Sequence, residues 1–247
     1  MSETIRVGVL GARGRMGNEV CKAVGGAEDM ELVAAVDDGD DRDTLAAAQV
    51  VVDFTTPDAV FGNIDWCLEH GVNLVVGTSG FTTERIELVR DKLAARPGIG
   101  IVIAPNFAIG AVLLMEFAAK AARHFESVEI VEMHHPKKID APSGTALRTA
   151  RIIAEARAEA GLGAMPDATK EEMAGARGSD VEGVRVHALR ATGLVAHQEV
   201  LFGTAGETLT LRHDSYDRVS FMPGVLLAVR SVITRPGLTV GLDALLG

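Results

Sequence analysis

Residues 132–146 gather side chains that can transfer protons and bind anions. They read Glu-Met-His-His-Pro-Lys-Lys-Ile-Asp-Ala-Pro-Ser-Gly-Thr-Ala, and four of the five residues from His134 to Lys138 can carry positive charge. In a chain whose net charge is −10, this clustering favours an anionic ligand. The imidazole of His134 titrates near neutral pH, which suits general acid catalysis. Lys138 can donate a second proton or stabilise an anionic intermediate, so the segment predicts a catalytic pair.

The end of the same segment is typical of a helix start that binds a carboxylate. Ser143 is a favourable N-cap residue, and the N–H groups of Gly144 and Thr145 would then face an anion. Two simpler interpretations stay open: a solvated basic loop, or a metal site at His134 and His135. A two-histidine metal site needs a further ligand, and none is evident in this segment, so we expect no metal.

A glycine-rich turn near the N-terminus predicts a dinucleotide site. Residues 11–17 read Gly-Ala-Arg-Gly-Arg-Met-Gly, directly between a predicted strand and a predicted helix. Glycines there let the backbone approach a pyrophosphate at a helix N-terminus. Asp37, at the end of the second predicted strand, is expected to bind ribose hydroxyls, whereas Arg13 and Arg15 suit a 2′-phosphate. The sequence therefore predicts use of NADH, NADPH or both; the competing interpretation is a structural turn with two surface arginines.

Two further turns follow predicted strands of the same domain. Gly77-Thr78-Ser79 follows the fourth strand and Ala104-Pro105-Asn106-Phe107 follows the fifth. Ligands of an open parallel sheet bind beyond the carboxyl ends of its strands, so we expect both turns to contact the nicotinamide half of the cofactor. Each turn taken alone is also compatible with ordinary turn chemistry.

The elements that must position these residues predict an α/β fold. Up to residue 107, short apolar stretches alternate with predicted helices, which is typical of βαβ units and a parallel sheet. We expect a Rossmann-type parallel sheet domain with an inserted α+β domain that contains a mixed or antiparallel sheet. Thr56-Pro57 is expected to open a helix that runs to Gly71. The predicted strands are 5–10, 31–36, 49–54, 73–76 and 99–104.

The alternation breaks after residue 107, where the second domain is expected to be inserted. We predict a dinucleotide-binding domain at 1–107, completed by 218–247, and a substrate-binding domain at 108–217. Residues 162–182 have no period and are typical of a binding loop or lid. The predicted helices and strands of the inserted domain are 109–124, 127–133, 144–161, 184–191, 197–203 and 207–213.

The overall composition excludes several classes of partner. The chain has 24 basic and 34 acidic residues, and such a surface repels phosphate backbones and anionic lipids. We therefore expect neither nucleic acid nor a membrane as a partner. Cys21 and Cys67 indicate no disulfide framework. Because we find no leader peptide and no apolar stretch of about 18 residues that would span a bilayer, we expect a cytoplasmic protein.

Residues 132–146 resemble the signature E-x-H-H-x-x-K-x-D-A-P-S-G-T-A of the 4-hydroxy-tetrahydrodipicolinate reductase family, also called dihydrodipicolinate reductases. The stretches GARGRMG, GTSGF and APNFAIG are similar to those of the family in order and spacing, and the resemblance covers essentially the whole chain. The chain departs from the family in two places. GTSG stands where G-T-T-G is usual, and Asp38 stands where an arginine is frequent, which moves the basis of NADPH binding towards Arg13 and Arg15.

The resemblance implies a role for each matching residue. His134 would be the proton donor or acceptor, Lys138 the second catalytic donor and His135 a substrate contact, while Gly144 and Thr145 would bind a substrate carboxylate. It also implies that the last stretch returns to the nucleotide domain and that the inserted sheet joins four subunits in a homotetramer. The cofactor-binding residues that it implies are Gly11, Ala12, Arg13, Gly14, Arg15, Met16, Asp37, Gly77, Thr78, Ser79, Ala104, Pro105, Asn106 and Phe107.

The activity expected from the resemblance is an NAD(P)H-dependent reduction in lysine and diaminopimelate biosynthesis. The substrate would be the dehydrated form of 4-hydroxy-tetrahydrodipicolinate, and the product tetrahydrodipicolinate. Two alternatives stay open: a dinucleotide-binding redox sensor, and a Rossmann reductase of another small carboxylate. A sensor has no need of a proton donor beside a carboxylate-binding helix start, so residues 134–145 favour the enzyme.

Overall fold

A computed structural model describes residues 4–247, which form two compact units. The first unit runs to Ile109 and resumes at Arg218, and the second spans Gly110–Asp217. The strands are β1 (Ile5–Leu10), β2 (Met30–Val36), β3 (Val50–Asp53), β4 (Asn73–Val76), β5 (Gly100–Ile103), β6 (Ser127–His134), β7 (Ser179–Val181), β8 (Val184–Arg190), β9 (Ala196–Thr204), β10 (Glu207–Ser215) and β11 (Gly237–Val240). The α-helices are α1 (Arg15–Gly25), α2 (Val60–His70), α3 (Thr83–Ala94), α4 (Ile109–Ala122), α5 (Gly144–Glu159) and α6 (Met222–Val232).

The first unit contains a six-stranded sheet in the order β11-β5-β4-β3-β1-β2, and every pairing is parallel. Its strands are almost continuously apolar because both faces of a parallel sheet are covered; Val51 and Val75 are fully buried. β2 and β3 lie on opposite sides of β1, so the strand order reverses there. Ligands of open parallel sheets bind at such a reversal, beyond the carboxyl ends of the strands. The expected parallel α/β sheet is confirmed.

Two details of the first unit differ from the sequence prediction. The second helix was expected from Thr56, but α2 begins at Val60, so that prediction was wrong at its start. The backbone N–H groups of Ala59 and Val60 both donate to the carbonyl oxygen of Thr56 at 3.1 Å, which makes a separate turn before the helix. The sixth strand, β11, was not predicted, because its four residues begin with a glycine and are followed by another, and only the pairing with β5 makes them a strand.

The second unit contains a five-stranded mixed sheet in the order β10-β9-β6-β8-β7. β6 and β8 pair in parallel, and the other pairs are antiparallel. The expected mixed sheet is confirmed. Val128, Ile130 and Phe202 are buried in one core with Ile153 of α5, so α5 covers one face of the sheet. β7 forms the edge strand within residues 162–182, which were expected to be a loop. No helix within residues 4–247 is long and apolar enough to cross a membrane.

Candidate active site

The glycine-rich turn between β1 and α1 has the shape of a phosphate-binding loop. Gly11 has a φ of +76°, and a Cβ atom there would lie 2.7 Å from the carbonyl oxygen of Phe54. A Cβ atom at Gly17 would overlap the carbonyl oxygen of Gly11, so the turn packs against the helix too closely for a side chain. Gly14 is the N-cap of α1 and supplies no side-chain acceptor. The free N–H groups of the first helical turn can therefore receive a phosphate.

Asp37 lies directly beside this turn. Its Oδ1 accepts a hydrogen bond from the backbone N–H of Asp38 at 2.9 Å, and its Oδ2 accepts one from that of Arg13 at 2.6 Å. These two backbone donors hold the pKa of Asp37 below its usual value, which keeps the carboxylate ionised. A carboxylate oxygen has two lone pairs, so each oxygen can still accept a hydroxyl proton. The expected role as a ribose ligand fits this geometry.

A cavity of about 520 Å³ opens at the turn, with Gly11, Gly14 and Asp37 among its lining residues. The turn and this carboxylate together offer donors for phosphates and acceptors for ribose hydroxyls, so the residues present fit a nicotinamide dinucleotide. The guanidinium of Arg13 donates to Asp40 Oδ2 at 2.7 Å and to the carbonyl oxygen of Asp38 at 2.9 Å. Its side chain is nevertheless 61% exposed, so it can also meet a 2′-phosphate.

A buried carboxylate that sequence reasoning missed anchors the turn after β4. Asp53 is fully buried at the end of β3. Its Oδ1 accepts hydrogen bonds from the Thr55 N–H at 2.8 Å, the Thr55 hydroxyl at 2.7 Å and the Thr78 hydroxyl at 2.9 Å, and its Oδ2 accepts one from Asn63 Nδ2 at 2.7 Å. The only signal in the sequence was an acid that ends an apolar strand. The Thr78 hydroxyl is thus already committed to holding its own turn.

The turns after β4 and β5 meet around Phe54. A Cβ atom at Gly77 would overlap the Phe54 ring, and that ring packs against the Phe107 ring with centroids 5.8 Å apart. Asn106 Oδ1 accepts the Ala108 N–H at 2.9 Å. Exposure differs among the other cofactor candidates of the first unit: Ala104 and Phe107 are buried, Ala12 and Met16 are half-buried, and Arg15, Ser79 and Pro105 are exposed.

His134 is the last residue of β6, and its ring is held by a buried carboxylate. Its Nδ1 lies 2.5 Å from Oε2 of Glu132, whose side chain is fully buried. Burial lowers the pKa of His134, and the cations of Lys138 and Arg190 lower it further, while Glu132 opposes the shift. Burial raises the pKa of Glu132, but hydrogen bonds from Arg190 and His134 outweigh it, so the net shift is downward and Glu132 is ionised.

Lys138 and His135 lie in the turn that follows β6. Lys138 Nζ donates to Asp140 Oδ1 at 2.7 Å, and its side chain is 20% exposed. His135 is exposed, and its carbonyl oxygen accepts the N–H of Lys138 at 3.2 Å. Asp140 is in turn held by Arg190, which donates to its carbonyl oxygen at 2.8 Å. The structure therefore brings Lys138 and His134 into one network around Arg190.

The predicted helix start at α5 is confirmed. Ser143 is the N-cap, and its hydroxyl oxygen accepts the N–H of Ala146 at 3.2 Å. Gly144 is exposed and Thr145 is half-buried, and both lie in the first turn of α5. The N–H of Ser143 donates to Glu132 Oε1 at 3.1 Å, so the helix start and His134 share one anchor. Within residues 4–247, no three His, Cys, Asp or Glu side chains are arranged to hold a metal ion.

Comparisons with known proteins give a consistent result over the whole chain. Residues 5–107 match the family model "Dihydrodipicolinate reductase, N-terminus", and residues 110–246 match the model "Dihydrodipicolinate reductase, C-terminus". The chain is 65% identical to the 4-hydroxy-tetrahydrodipicolinate reductase of Cutibacterium acnes, over 98% of this chain and 99% of the relative. It is 64% identical to the enzyme of the same name from Nocardia farcinica, again over 98% and 99% of the two chains.

A solved structure is similar in fold as well as in sequence. The dipicolinate-bound dihydrodipicolinate reductase from Paenisporosarcina sp. TG-14 superposes with a TM-score of 0.89 at 41% identity, over 98% of this chain and all of that one. Both family models together span nearly the entire sequence, and the relatives match it from end to end. The chain belongs to the dihydrodipicolinate reductase family and is an oxidoreductase.

Proposed function

We propose that the chain uses NADH or NADPH to reduce the dehydrated form of 4-hydroxy-tetrahydrodipicolinate to tetrahydrodipicolinate, in lysine and diaminopimelate biosynthesis. The observation that carries the proposal is the cluster in the second unit. An imidazole bound to a buried carboxylate, an ammonium and a capped helix start are linked through Glu132 and Arg190. This set matches a substrate that is both an anion and a proton acceptor, and the Paenisporosarcina relative binds dipicolinate, a cyclic dicarboxylate.

The residues of the second unit divide the work on the substrate. The first N–H groups of α5, at Gly144 and Thr145, bind one substrate carboxylate, because a helix N-terminus attracts anions. His135 is exposed in the adjoining turn and contacts the substrate there. When bound, the reduced nicotinamide would supply a hydride to C4 of the substrate ring. Lys138 stabilises the negative charge that develops on the substrate, and His134 donates the proton that neutralises it. Acid catalysis by a positioned side chain accelerates a reaction by about 10²–10⁴-fold.

The residues of the first unit hold the cofactor. The N–H groups of the glycine turn receive the pyrophosphate, and the Asp37 carboxylate accepts the ribose hydroxyls. Arg13 and Arg15 are exposed at the same turn and provide cations for a 2′-phosphate, so both cofactors are accepted. The turns after β4 and β5 contact the nicotinamide half. The residues of this site are Gly11 to Met16, Asp37, Gly77 to Ser79 and Ala104 to Phe107.

The proposal also covers the assembly and the cellular location of the protein. The second unit has a mixed sheet with exposed leucines, which supports a homotetramer joined through this sheet. Cys21 and Cys67 are free thiols, which supports a reducing cytoplasm.

A coupled assay tests the proposed function. A synthase generates the substrate in place from pyruvate and aspartate semialdehyde, and the oxidation of NADH or NADPH is followed by its absorbance. We expect each cofactor to be oxidised only when the synthase and both of its substrates are present. No oxidation with either cofactor would overturn the assignment and favour a redox sensor. Oxidation without the synthase would point to a reductase of another small carboxylate.

A further inference from the structure

Glu132 is the most completely committed carboxylate of the second unit. Its side chain is fully buried, and both oxygens accept hydrogen bonds. Arg190 Nη1 donates to Oε2 and Arg190 Nη2 to Oε1, both at 2.8 Å, in a bidentate pair. The remaining donors are His134 Nδ1 on Oε2 and the Ser143 N–H on Oε1. Burying a charged pair costs desolvation free energy even when the pair is well formed. The arrangement therefore suggests a role for Glu132 beyond packing.

The contact with His134 determines which ring nitrogen carries a proton. Because Glu132 is an ionised carboxylate, it can only accept, so the Nδ1 of His134 must be the donor. The neutral ring is then protonated at Nδ1, and Nε2 is the nitrogen that gains and loses a proton. In the imidazolium form, Nε2 holds the proton that can leave. The carboxylate therefore fixes the tautomer and the orientation of the ring together.

We infer that Glu132, held by Arg190, is a positioning residue that aims the Nε2 proton of His134 at the substrate and holds that ring in register with the carboxylate-binding start of α5. The inference rests on the proposed function, in which His134 is the proton donor. One carboxylate group contacts the proton donor through Oε2 and the N-cap residue through Oε1. The distance between the site of protonation and the site of carboxylate binding is thereby set by a single rigid group. Arg190 completes the link by holding Asp140, the partner of Lys138.

The charges around His134 determine how its titration responds to a change at Glu132. Within the second unit, the charged groups that act on His134 are Glu132 on its own strand, Lys138 and Asp140 in the following turn and Arg190 on β8. Glu132 favours the protonated ring, and the two cations oppose it. The negative charge of Asp140 also favours the protonated ring. Removing the negative charge of Glu132 leaves both cations in place, so the pKa of His134 falls. A general acid must be protonated to act, so activity is lost as pH rises through that pKa.

The test compares Glu132→Gln with a matched control on the same strand. Glu129 also lies on β6 and also contacts a histidine and an arginine: it accepts from His187 Nε2 at 2.7 Å and pairs with Arg177. No contact joins Glu129 to the helix start or to His134 within the described residues. We expect Glu132→Gln to lower kcat/KM by about 10- to 100-fold, a part of what acid catalysis supplies. In the pH profile of the Glu132→Gln protein, the limb that reports the titration of His134 should move to lower pH. Glu129→Gln should leave both kcat/KM and this limb unchanged.

A second measurement keeps the inference testable if Glu132→Gln does not fold. In the unaltered protein, ¹⁵N shifts of His134 at high pH report the tautomer, and we expect the proton on Nδ1. A proton on Nε2 would overturn the inference, as would an unmoved pH profile in a folded Glu132→Gln protein. Failure of the proposed function looks different: His134→Gln would then turn over at the rate of the unaltered protein, whatever the ¹⁵N shifts show.

Discussion

The polar atoms of the site differ in whether they already make hydrogen bonds within the protein. The Thr78 hydroxyl donates to Asp53, and the Nδ1 of His134 is bound to Glu132, so neither has a proton left to donate to a ligand. The Nε2 of His134 and the ammonium of Lys138 can still act on a substrate. The ammonium donates one hydrogen bond to Asp140 and has further protons to donate. This division supports chemistry at the two residues and a purely structural role for Asp53.

His134→Gln and Lys138→Ala should each lower kcat by at least about 10²-fold, since each removes a group that acts on the developing charge. Affinity for NADH should be nearly unchanged, because neither residue belongs to the first unit, which holds the glycine turn. Steady-state kinetics and cofactor fluorescence titration measure the two effects. The exposed residues His124 and Lys120 of the same unit provide matched controls, as His124→Gln and Lys120→Ala. Unchanged turnover would remove the substituted residue from the mechanism.

Gly144→Ala should raise the substrate KM by at least about tenfold, or about 1.4 kcal/mol, without loss of stability. A Cβ atom at Gly144 meets nothing within 4 Å, and alanine restricts the unfolded chain more than glycine, so the fold tolerates the change. The added methyl would stand where a carboxylate must approach the helix N–H groups. Kinetics and thermal unfolding test this, with Gly62→Ala in α2 as a control that also has open space. An unchanged KM would place the carboxylate elsewhere.

The sequence indicated the candidate catalytic residues but not most of the residues that hold them in place. His134, Lys138 and the Ser143 cap stand out because their types and local spacing are informative. Glu132 lies two residues before His134, and such residues share a face of a strand, so its contact was available from the sequence. Arg190 and Asp53 could not be found in this way. Arg190 meets Glu132 only through the pairing of β6 with β8, and Asp53 meets Thr78 only through the pairing of β3 with β4.

Elements position the cofactor site through close backbone contacts. Gly17→Ala should weaken binding of both cofactors by at least about tenfold and lower the melting temperature, because its methyl overlaps the carbonyl oxygen of Gly11 and forces α1 away from the turn. The matched control is Gly25→Ala at the other end of α1, where a Cβ atom meets nothing within 4 Å. Fluorescence titration and thermal unfolding measure both variants. Tight binding in Gly17→Ala would show that the turn does not carry the pyrophosphate.

Helices and strands with a clear hydrophobic pattern were predictable from the sequence. Strands that form only by pairing with strands distant in the sequence were not. The first five strands of the parallel sheet are short, mostly apolar stretches, and β1, β3, β4 and β5 are buried almost throughout, as their sequences indicate. β7 and β11 have three and four residues, and pairing with β8 and β5 alone makes them strands. The late start of α2 follows from a turn at Thr56 that a proline signal does not reveal.

At the scale of the whole molecule, the proposed tetramer predicts a mass of about four times 26.0 kDa in sedimentation equilibrium. Leu189 and Leu201 are 45% and 43% exposed on the second sheet. They pair with Met133 and Glu129, which lie on the same face of β6. Leu201→Arg should therefore reduce the mass, because it replaces an exposed leucine of the proposed interface with a longer, charged side chain. Leu88→Arg, at a leucine that is 46% exposed on α3, should not. A monomeric unaltered protein would contradict the proposal.

The most direct test of the account is a crystal structure of the protein with a reduced nicotinamide cofactor and dipicolinate bound. We predict that the N–H groups of Gly144 and Thr145 donate to a dipicolinate carboxylate. The Nε2 of His134 and the Nζ of Lys138 should lie within hydrogen-bond reach of the ligand, about 2.6–3.2 Å, with the nicotinamide against its ring. A complex in which these side chains point away from the ligand, or in which the cofactor avoids the glycine turn, would contradict it.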